Sequence, residues 1–261
     1  MKRQYRYALT LLLFAGVSLG SSFTHLRSLS YARLRLRLPQ LAIDSSTSKE
    51  DIPILLETDQ VLVVNKPPGV AHHDSENELG ILNLLRARME SSSPRIYGVH
   101  RLDRVTSGIL VLAKSSTVAG SMQRMFREGK VIKYYVGLSS KKPKKKQGLV
   151  EGGMVRGRRS SWFLTRAISS NDTTTTATPY AKTRFYTAGL GHLKSSSVCE
   201  AKTMLLFRPY TGKTHQLRVA SKSVGLPLLG DPIYGSSSKV DDVVSSTNTR
   251  TFLHALSLIH I

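Results

Sequence analysis

His100-Arg-Leu-Asp-Arg-Val-Thr-Ser-Gly108 runs straight into Gly108-Ile-Leu-Val-Leu-Ala-Lys114, and the reading of the whole chain turns on this stretch. Its second half is an apolar run with β-branched residues and no polar break, the pattern of a strand buried on both faces. Its first half sets one carboxylate, Asp103, between Arg101 and Arg104 and closes with Thr106-Ser-Gly. Neighbouring guanidinium groups favour the ionised acid and lower its pKa. A carboxylate kept charged suits a nucleophile better than a general acid. Taken alone, however, an Asp before Thr-Ser-Gly is the ordinary cap of a turn.

The flanking sequence supplies the frame. Upstream, Val61-Leu-Val-Val-Asn-Lys66 reads as a strand stopped by Pro67-Pro68-Gly69, and Ile81 to Glu90 has helical spacing. Downstream, Thr117 to Glu128 is an amphipathic helix, with Val118, Met122, Met125 and Phe126 on one side and Gly129 as its stop. Val131 to Leu138, Ala181 to Tyr186 and Ala201 to Arg208 read as strands, and Thr214 to Ser223 as a helix. No repeat occurs, and no steady βαβ rhythm. These features predict an α+β fold, a mixed and largely antiparallel sheet with flanking helices.

The chain of 261 residues is long enough to bury a real core, and its 40% apolar and 21% charged content is ordinary. Its charge is not, with 38 Lys and Arg against 17 Asp and Glu and a net charge of +21. Residues 1–43 hold seven basic residues and no acid, so most of the surplus belongs to the body. Such a body attracts polyanions, nucleic acid first and an anionic membrane surface second. The single cysteine, Cys199, excludes an internal disulfide and reads as an inert buried thiol. No cofactor or metal site is expected. The pair His72-His73 lacks a third ligand at helpful spacing and reads as a surface pair, and Gly212-Lys213-Thr214 fails as a P-loop because Phe207 stands where the first glycine is required.

Lys2, Arg3 and Arg6, an apolar run from Ala8 to Leu19, and the small residues Gly20, Ser21 and Ser22 have the layout of a signal peptide. Arg27, Arg33, Arg35 and Arg37 follow among Ser and Leu, as in a transit peptide. Residues 1–43 are therefore expected to be a two-part targeting presequence, 44–51 a linker and 52–261 the catalytic domain. The destination expected is a plastid ahead of a mitochondrion, with secretion third. Lys141-Lys-Pro-Lys-Lys-Lys146 and Ser169 to Thr178 read as surface loops, the first suited to phosphate contact. Arg156 to Arg159 with Trp162 has the composition of an RNA clamp or of a basic structural loop.

HRLDRVTSG resembles the active-site motif of the RluA-type pseudouridine synthase family: His-Arg-Leu-Asp, two variable positions, then Thr-Ser-Gly. Further segments are similar to that family's in the same order: Asn65-Lys66-Pro67-Pro68-Gly69, Lys133-Tyr134-Tyr135, Arg208-Pro-Tyr-Thr-Gly-Lys-Thr-His-Gln-Leu-Arg218, Gly230-Asp-Pro-Ile-Tyr-Gly235 and Phe252-Leu-His-Ala255. The resemblance covers about residues 52 to 261. It implies the pseudouridine synthase fold and an RNA-dependent isomerase that turns selected uridines in rRNA or tRNA into pseudouridine. In that reading Asp103 is the catalytic aspartate, which attacks the sugar or the base. Tyr135 packs on the base and assists proton removal. Arg218 pairs with the acid, and Arg101 fills the space that the flipped base leaves. His100, Arg104, Thr106, Lys133, Lys213 and His215 are implied as substrate-binding.

An acid cannot reach C1′ or C5 of a stacked nucleotide, so the uridine must be flipped out, which costs a few kcal/mol. Phosphate contacts from a basic face offset that cost. Two departures stand out: Lys213 where the family usually has Arg, and Ala220 after Val219 where a His is common. The chain ends at Ile259-His260-Ile261, where family members run on through a final strand, so a truncated C-terminus is also expected. The expected partner is RNA, the expected state a monomer without stable membrane association once the leader is removed. The competing reading is a catalytically inactive RNA-binding or RNA-folding protein on the same scaffold. Retention of Asp103, Tyr135 and Arg218 together speaks against it.

Overall fold

The computed structural model describes residues 52–76, 78–89, 95–165, 178–190, 201–235 and 250–260. The expected presequence and linker, Cys199 and nearly all of the Ser169 to Thr178 loop lie outside them. The described residues form ten strands and three helices. The strands are β1 (Ile54–Glu57), β2 (Val61–Lys66), β3 (Tyr97–Gly98), β4 (Ser107–Ala113), β5 (Val131–Ser139), β6 (Gln147–Arg156), β7 (Trp162–Thr165), β8 (Tyr180–Gly189), β9 (Thr203–Pro209) and β10 (Leu253–His260). The helices are α1 (Ile81–Arg88), α2 (Ser116–Arg127) and α3 (Gln216–Ser223).

All ten strands join one sheet in the order β1-β2-β4-β10-β5-β9-β8-β6-β7, with β3 paired to β4. Every pairing is antiparallel except β10 on β4. The expected α+β architecture with a mixed, largely antiparallel sheet is therefore the one observed.

The continuous apolar runs have a physical cause. In β2 and β4, Val61, Val63, Ile109, Val111 and Ala113 pack on one face with Ala119 and Met122 of α2. Leu62, Val64, Leu110 and Leu112 pack on the other with Ile81 and Leu85 of α1. With helices on both faces, Val61 to Val64 and Ile109 to Ala113 are buried and apolar at every position, so the usual alternation vanishes there. A third cluster, Phe185, Leu205, Phe207, Leu217, Leu226, Leu228 and Leu253, ties α3 to β8, β9 and β10. Gly108, where motif and strand meet, has φ +114, and a Cβ there would overlap the backbone of Ala255 in β10. The parallel pairing of Ser107 and Gly108 with His254 and Ala255 thus depends on a residue without a side chain. That pairing fixes the loop carrying Asp103 against the middle of the sheet.

Two predicted boundaries shift for identifiable reasons. α2 begins at Ser116 because the Ser115 hydroxyl accepts the Val118 N–H as an N-cap. α3 begins at Gln216, not Thr214, because His215 takes a left-handed conformation, φ 57, at its cap. No helix among the described residues is long and apolar enough to cross a membrane.

Candidate active site

A cavity of about 870 Å³ opens where the β3–β4 loop, the end of α2, β5, the β9–α3 loop and the start of α3 converge. That size lies within the range of about 300–1,000 Å³ usual for small-molecule sites, enough for a flipped nucleotide. Asp103, Tyr135, Arg218, Arg101, His100, Thr106, Lys133, Lys213 and His215 all line it, although the sequence spreads them over more than a hundred positions. Arg104 does not. Its Nε donates to the Gly69 carbonyl at 3.0 Å and its guanidinium pairs with Glu78 at 2.7 Å, so it fastens the Pro67–Gly69 turn to the motif. The expectation of a carboxylate flanked by two guanidinium groups from its own motif is corrected accordingly. The guanidinium at the Asp103 carboxylate is that of Arg218, with Nη1 to Oδ2 at 3.7 Å.

Arg218 is held by a residue that the sequence reading did not single out. Its Nε donates to Asp231 Oδ2 at 2.7 Å and its Nη2 to Oδ1 at 2.8 Å, a two-pronged pair in which Asp231 is wholly covered. Asp231 Oδ1 also accepts the N–H groups of Ile233 at 2.9 Å and Tyr234 at 3.0 Å. Burial works against its charge, but the Arg218 fork and these amides outweigh that and hold the carboxyl below the usual range. With two prongs fixed on Asp231, the third nitrogen of Arg218 can point only one way, at Asp103.

The β9–α3 loop is pinned by Gln216, buried with all four hydrogen-bonding sites in use. Its amide donates to the Lys182 carbonyl and to Thr183 Oγ1, and its oxygen accepts from Thr211 Oγ1 and the Lys213 N–H. Lys213 and Thr214 are thereby presented, exposed, at the cavity rim. His215 Nδ1 lies 3.0 Å from the Tyr234 hydroxyl. Under the motif, Lys66 is fully buried and donates to the carbonyls of Pro67, Val70 and Arg104 at 2.9, 2.8 and 3.3 Å. Burial lowers its pKa to about 7, the charge of Asp103 working in the opposite direction.

The Tyr135 phenol is pushed well above its ordinary range, by burial first and by the Asp103 charge second. It enters the site as a neutral hydroxyl, which favours packing on a base over taking up a proton. His100 Nε2 accepts the Val111 N–H at 3.0 Å, and its ring stacks on Phe126 at 4.7 Å, so it braces the motif against β4 and α2. His72, expected as half of a surface pair, turns into the cavity wall, whereas His73 stays exposed with the two rings edge to face at 4.7 Å.

Burial lowers the pKa of His100 to about 3 and that of His72 to about 4, from 6.5. A histidine depressed in the folded state stabilises fully above its unfolded value and loses that contribution as protons are taken up on unfolding. Folded-state stability is therefore expected to decline as pH falls from 6.5 towards 4. Thermal unfolding midpoints across that window check it, and a flat response in wild type and His100→Phe alike would refute it.

The sequence profile of the RNA pseudouridylate synthase family matches residues 60–223. An RNA pseudouridine synthase of Haemophilus influenzae is 38% identical over 209 residues, which cover 80% of this chain and 81% of that protein. Ribosomal large subunit pseudouridine synthase D of Buchnera aphidicola is 34% identical across 69% of this chain and 53% of its own length. The synthase C of Pasteurella multocida is 30% identical across 82% and 61%. The chain thus spans less than two thirds of these last two relatives. Among solved structures, human RNA pseudouridylate synthase domain containing 1 superposes with a TM-score of 0.62 at 25% identity, covering 82% of this chain and 83% of that one. The matched segment holds the Asp103 motif, β5 and α3 in one frame, and the chain belongs to the RNA pseudouridylate synthase family.

Proposed function

We propose that this chain isomerises uridine to pseudouridine in RNA, with large-subunit ribosomal RNA as its first candidate substrate. The observation that carries the reading is the Asp103–Arg218–Asp231 arrangement: a partly exposed carboxylate in a cavity of nucleotide size, facing a buried arginine locked from behind. Asp103 attacks the flipped nucleotide, and the N1–C1′ bond breaks. The uracil turns in the cavity against Tyr135 and bonds C1′ through C5. The C5 proton leaves, N1 takes one up, and the carboxylate is regenerated. Nothing is oxidised or consumed. Because the Tyr135 phenol stays protonated, the regenerated carboxylate is the better acceptor for the C5 proton. Lys133 and Lys213 at the cavity, and the exposed lysines between β5 and β6, supply the phosphate contacts that offset flipping. The likeness to large-subunit synthases C and D supports ribosomal RNA as the first candidate, ahead of transfer RNA.

The basic leader composition supports an organelle destination, plastid or mitochondrion, and the basic body supports action as a monomer on RNA. The test is direct. The purified chain is incubated with transcribed large-subunit ribosomal RNA, and carbodiimide-dependent reverse-transcription stops are mapped. Discrete stops at a few uridines are expected. A folded, RNA-binding chain that yields none on ribosomal or transfer RNA would overturn the enzymatic reading and favour the inactive scaffold.

A further inference from the structure

The β6–β7 hairpin carries the basic segment that the active-site cavity does not use. Its tip is a four-residue turn, Arg158 to Ser161, with Ser161 N–H donating to the Arg158 carbonyl at 3.1 Å. Both central residues are left-handed, Arg159 at φ 52 and Ser160 at φ 58. That is the turn usually built from Asn-Gly, because residues with larger side chains are strained there. Strain of this kind persists where the surroundings hold it and tends to mark functional loops.

Beside the hairpin lies a second recess of about 440 Å³, walled by Arg158, Arg159, Trp162, Phe163, Lys222 and Tyr234 among others. Among the described residues, none that lines it is acidic. Three of its walls are cationic and exposed, three are aromatic, and Phe163 keeps 48% of its surface open. An aromatic floor with cations at the rim is the composition that receives a stacked base and its phosphates.

The recess is also tied to the active site. The Tyr234 hydroxyl accepts the Trp162 N–H at 2.8 Å and meets His215 Nδ1 at 3.0 Å. The guanidinium carbon of Arg218 lies 5.0 Å from the Tyr234 ring centre, and Lys222 Nζ lies 5.8 Å from it. Arg218 and Lys222 stand one helical turn apart on α3, so Tyr234 is the partition between the two cavities.

We propose that this recess is a second RNA subsite, which takes a nucleotide flanking the target uridine: its base against Trp162, its phosphates on Arg158, Arg159 and Lys222. The proposal rests on the reading that the protein acts on RNA. It is a binding subsite and holds no reacting group, so its loss weakens RNA binding without slowing the bound complex.

The test uses the full chain with Arg158→Glu/Arg159→Glu and the charge-retaining Arg158→Lys/Arg159→Lys. Oligouridylate binding is measured against salt, and single-turnover pseudouridine formation on large-subunit ribosomal RNA is measured at saturating protein. The Glu variant is expected to bind at least about tenfold more weakly, with the log–log salt slope reduced by about 1.4 for two lost single-strand phosphate contacts. Its saturated rate should be unchanged, and the Lys variant should keep the wild-type slope. Equal slopes for all three proteins would overturn the subsite. So would a saturated rate that falls with affinity in both variants, since the hairpin would then merely support the active site. A slope change in the Glu variant beside a wild-type chain that makes no pseudouridine would remove the enzymatic reading and leave the subsite standing.

Discussion

Asp103→Ala is expected to reduce pseudouridine formation by on the order of a thousandfold or more, as loss of a covalent catalyst does, with RNA affinity unchanged or slightly tighter. The direction of the affinity change follows from the surroundings. Among the described residues, Asp103 is the one acid lining a cavity that also presents Arg101, Lys133, Lys213 and Arg218, and its side chain is 21% exposed. Removing it makes the cavity more positive towards a phosphate backbone. Asp103→Asn, which keeps the shape and loses the charge, should be equally inactive, because the amide neither attacks C1′ nor accepts the C5 proton. The measurements are single-turnover product formation and filter-binding affinity on the same RNA. If either variant retained a tenth of wild-type activity, the reacting carboxylate would have to be sought elsewhere. Loss of binding in step with activity would instead mean that the Asp103 side chain is needed to hold the loop or the RNA, because the backbone bond from the Thr106 N–H to the Asp103 carbonyl at 3.0 Å survives both substitutions.

Much of this site can be read along the chain, and the reason is local. Asp103, Tyr135 and Arg218 sit in long segments whose family pattern is contiguous, and the elements beside or under them are legible too: the unbroken apolar run of β4 after Asp103, the strand β5 for Tyr135 and the helix α3 for Arg218. What cannot be read is what three-dimensional closure creates. Asp231 lies in Gly230-Asp-Pro-Ile-Tyr-Gly235, where an Asp before Pro suggests only a turn, and it does accept the amides of Ile233 and Tyr234 as such a residue should. Its second role, clamping Arg218, depends on α3 folding back beside that turn, which no spacing encodes. Arg104 fails for the opposite reason. One step from Asp103 in sequence, it is drawn off by Gly69 and Glu78. Among the strands, β6 escaped because Gly148, Gly152 and Gly153 and an exposed outer side blur its alternation. β10 escapes because Phe252-Leu-His-Ala255 carries the family motif but is too short to announce the strand that fills the gap between β4 and β5.

Arg218→Ala should show how much the Asp231 clamp matters to both fold and chemistry. The arginine is 3% exposed and Asp231 is wholly covered, so truncation leaves a buried carboxylate without its cation. Stranding one member of a buried pair costs about 3–5 kcal/mol, or on the order of 10 °C in Tm for a domain of this size. The loss should depend on pH in a definite sense. Asp231 is depressed below 3.8 in the wild type, so its contribution is complete above that value and disappears as pH falls through the lower folded one. In Arg218→Ala the carboxyl no longer has that partner and can relieve its burial by protonation. The gap in unfolding midpoint between wild type and variant should therefore narrow as pH falls below about 4. Arg218→Lys separates chemistry from stability. It retains a cation for Asp231 but cannot make a two-pronged pair and still point a third nitrogen at Asp103. Its fold should survive better than that of the Ala variant, while activity drops by about a hundredfold, the loss when a single oriented electrostatic donor is removed. Lys213→Arg, at the exposed rim, should leave activity nearly unchanged. Equal losses in Arg218→Lys and Lys213→Arg would mean that the arginine acts only as one more positive charge in the cavity, and that its orientation by Asp231 has no part in the reaction.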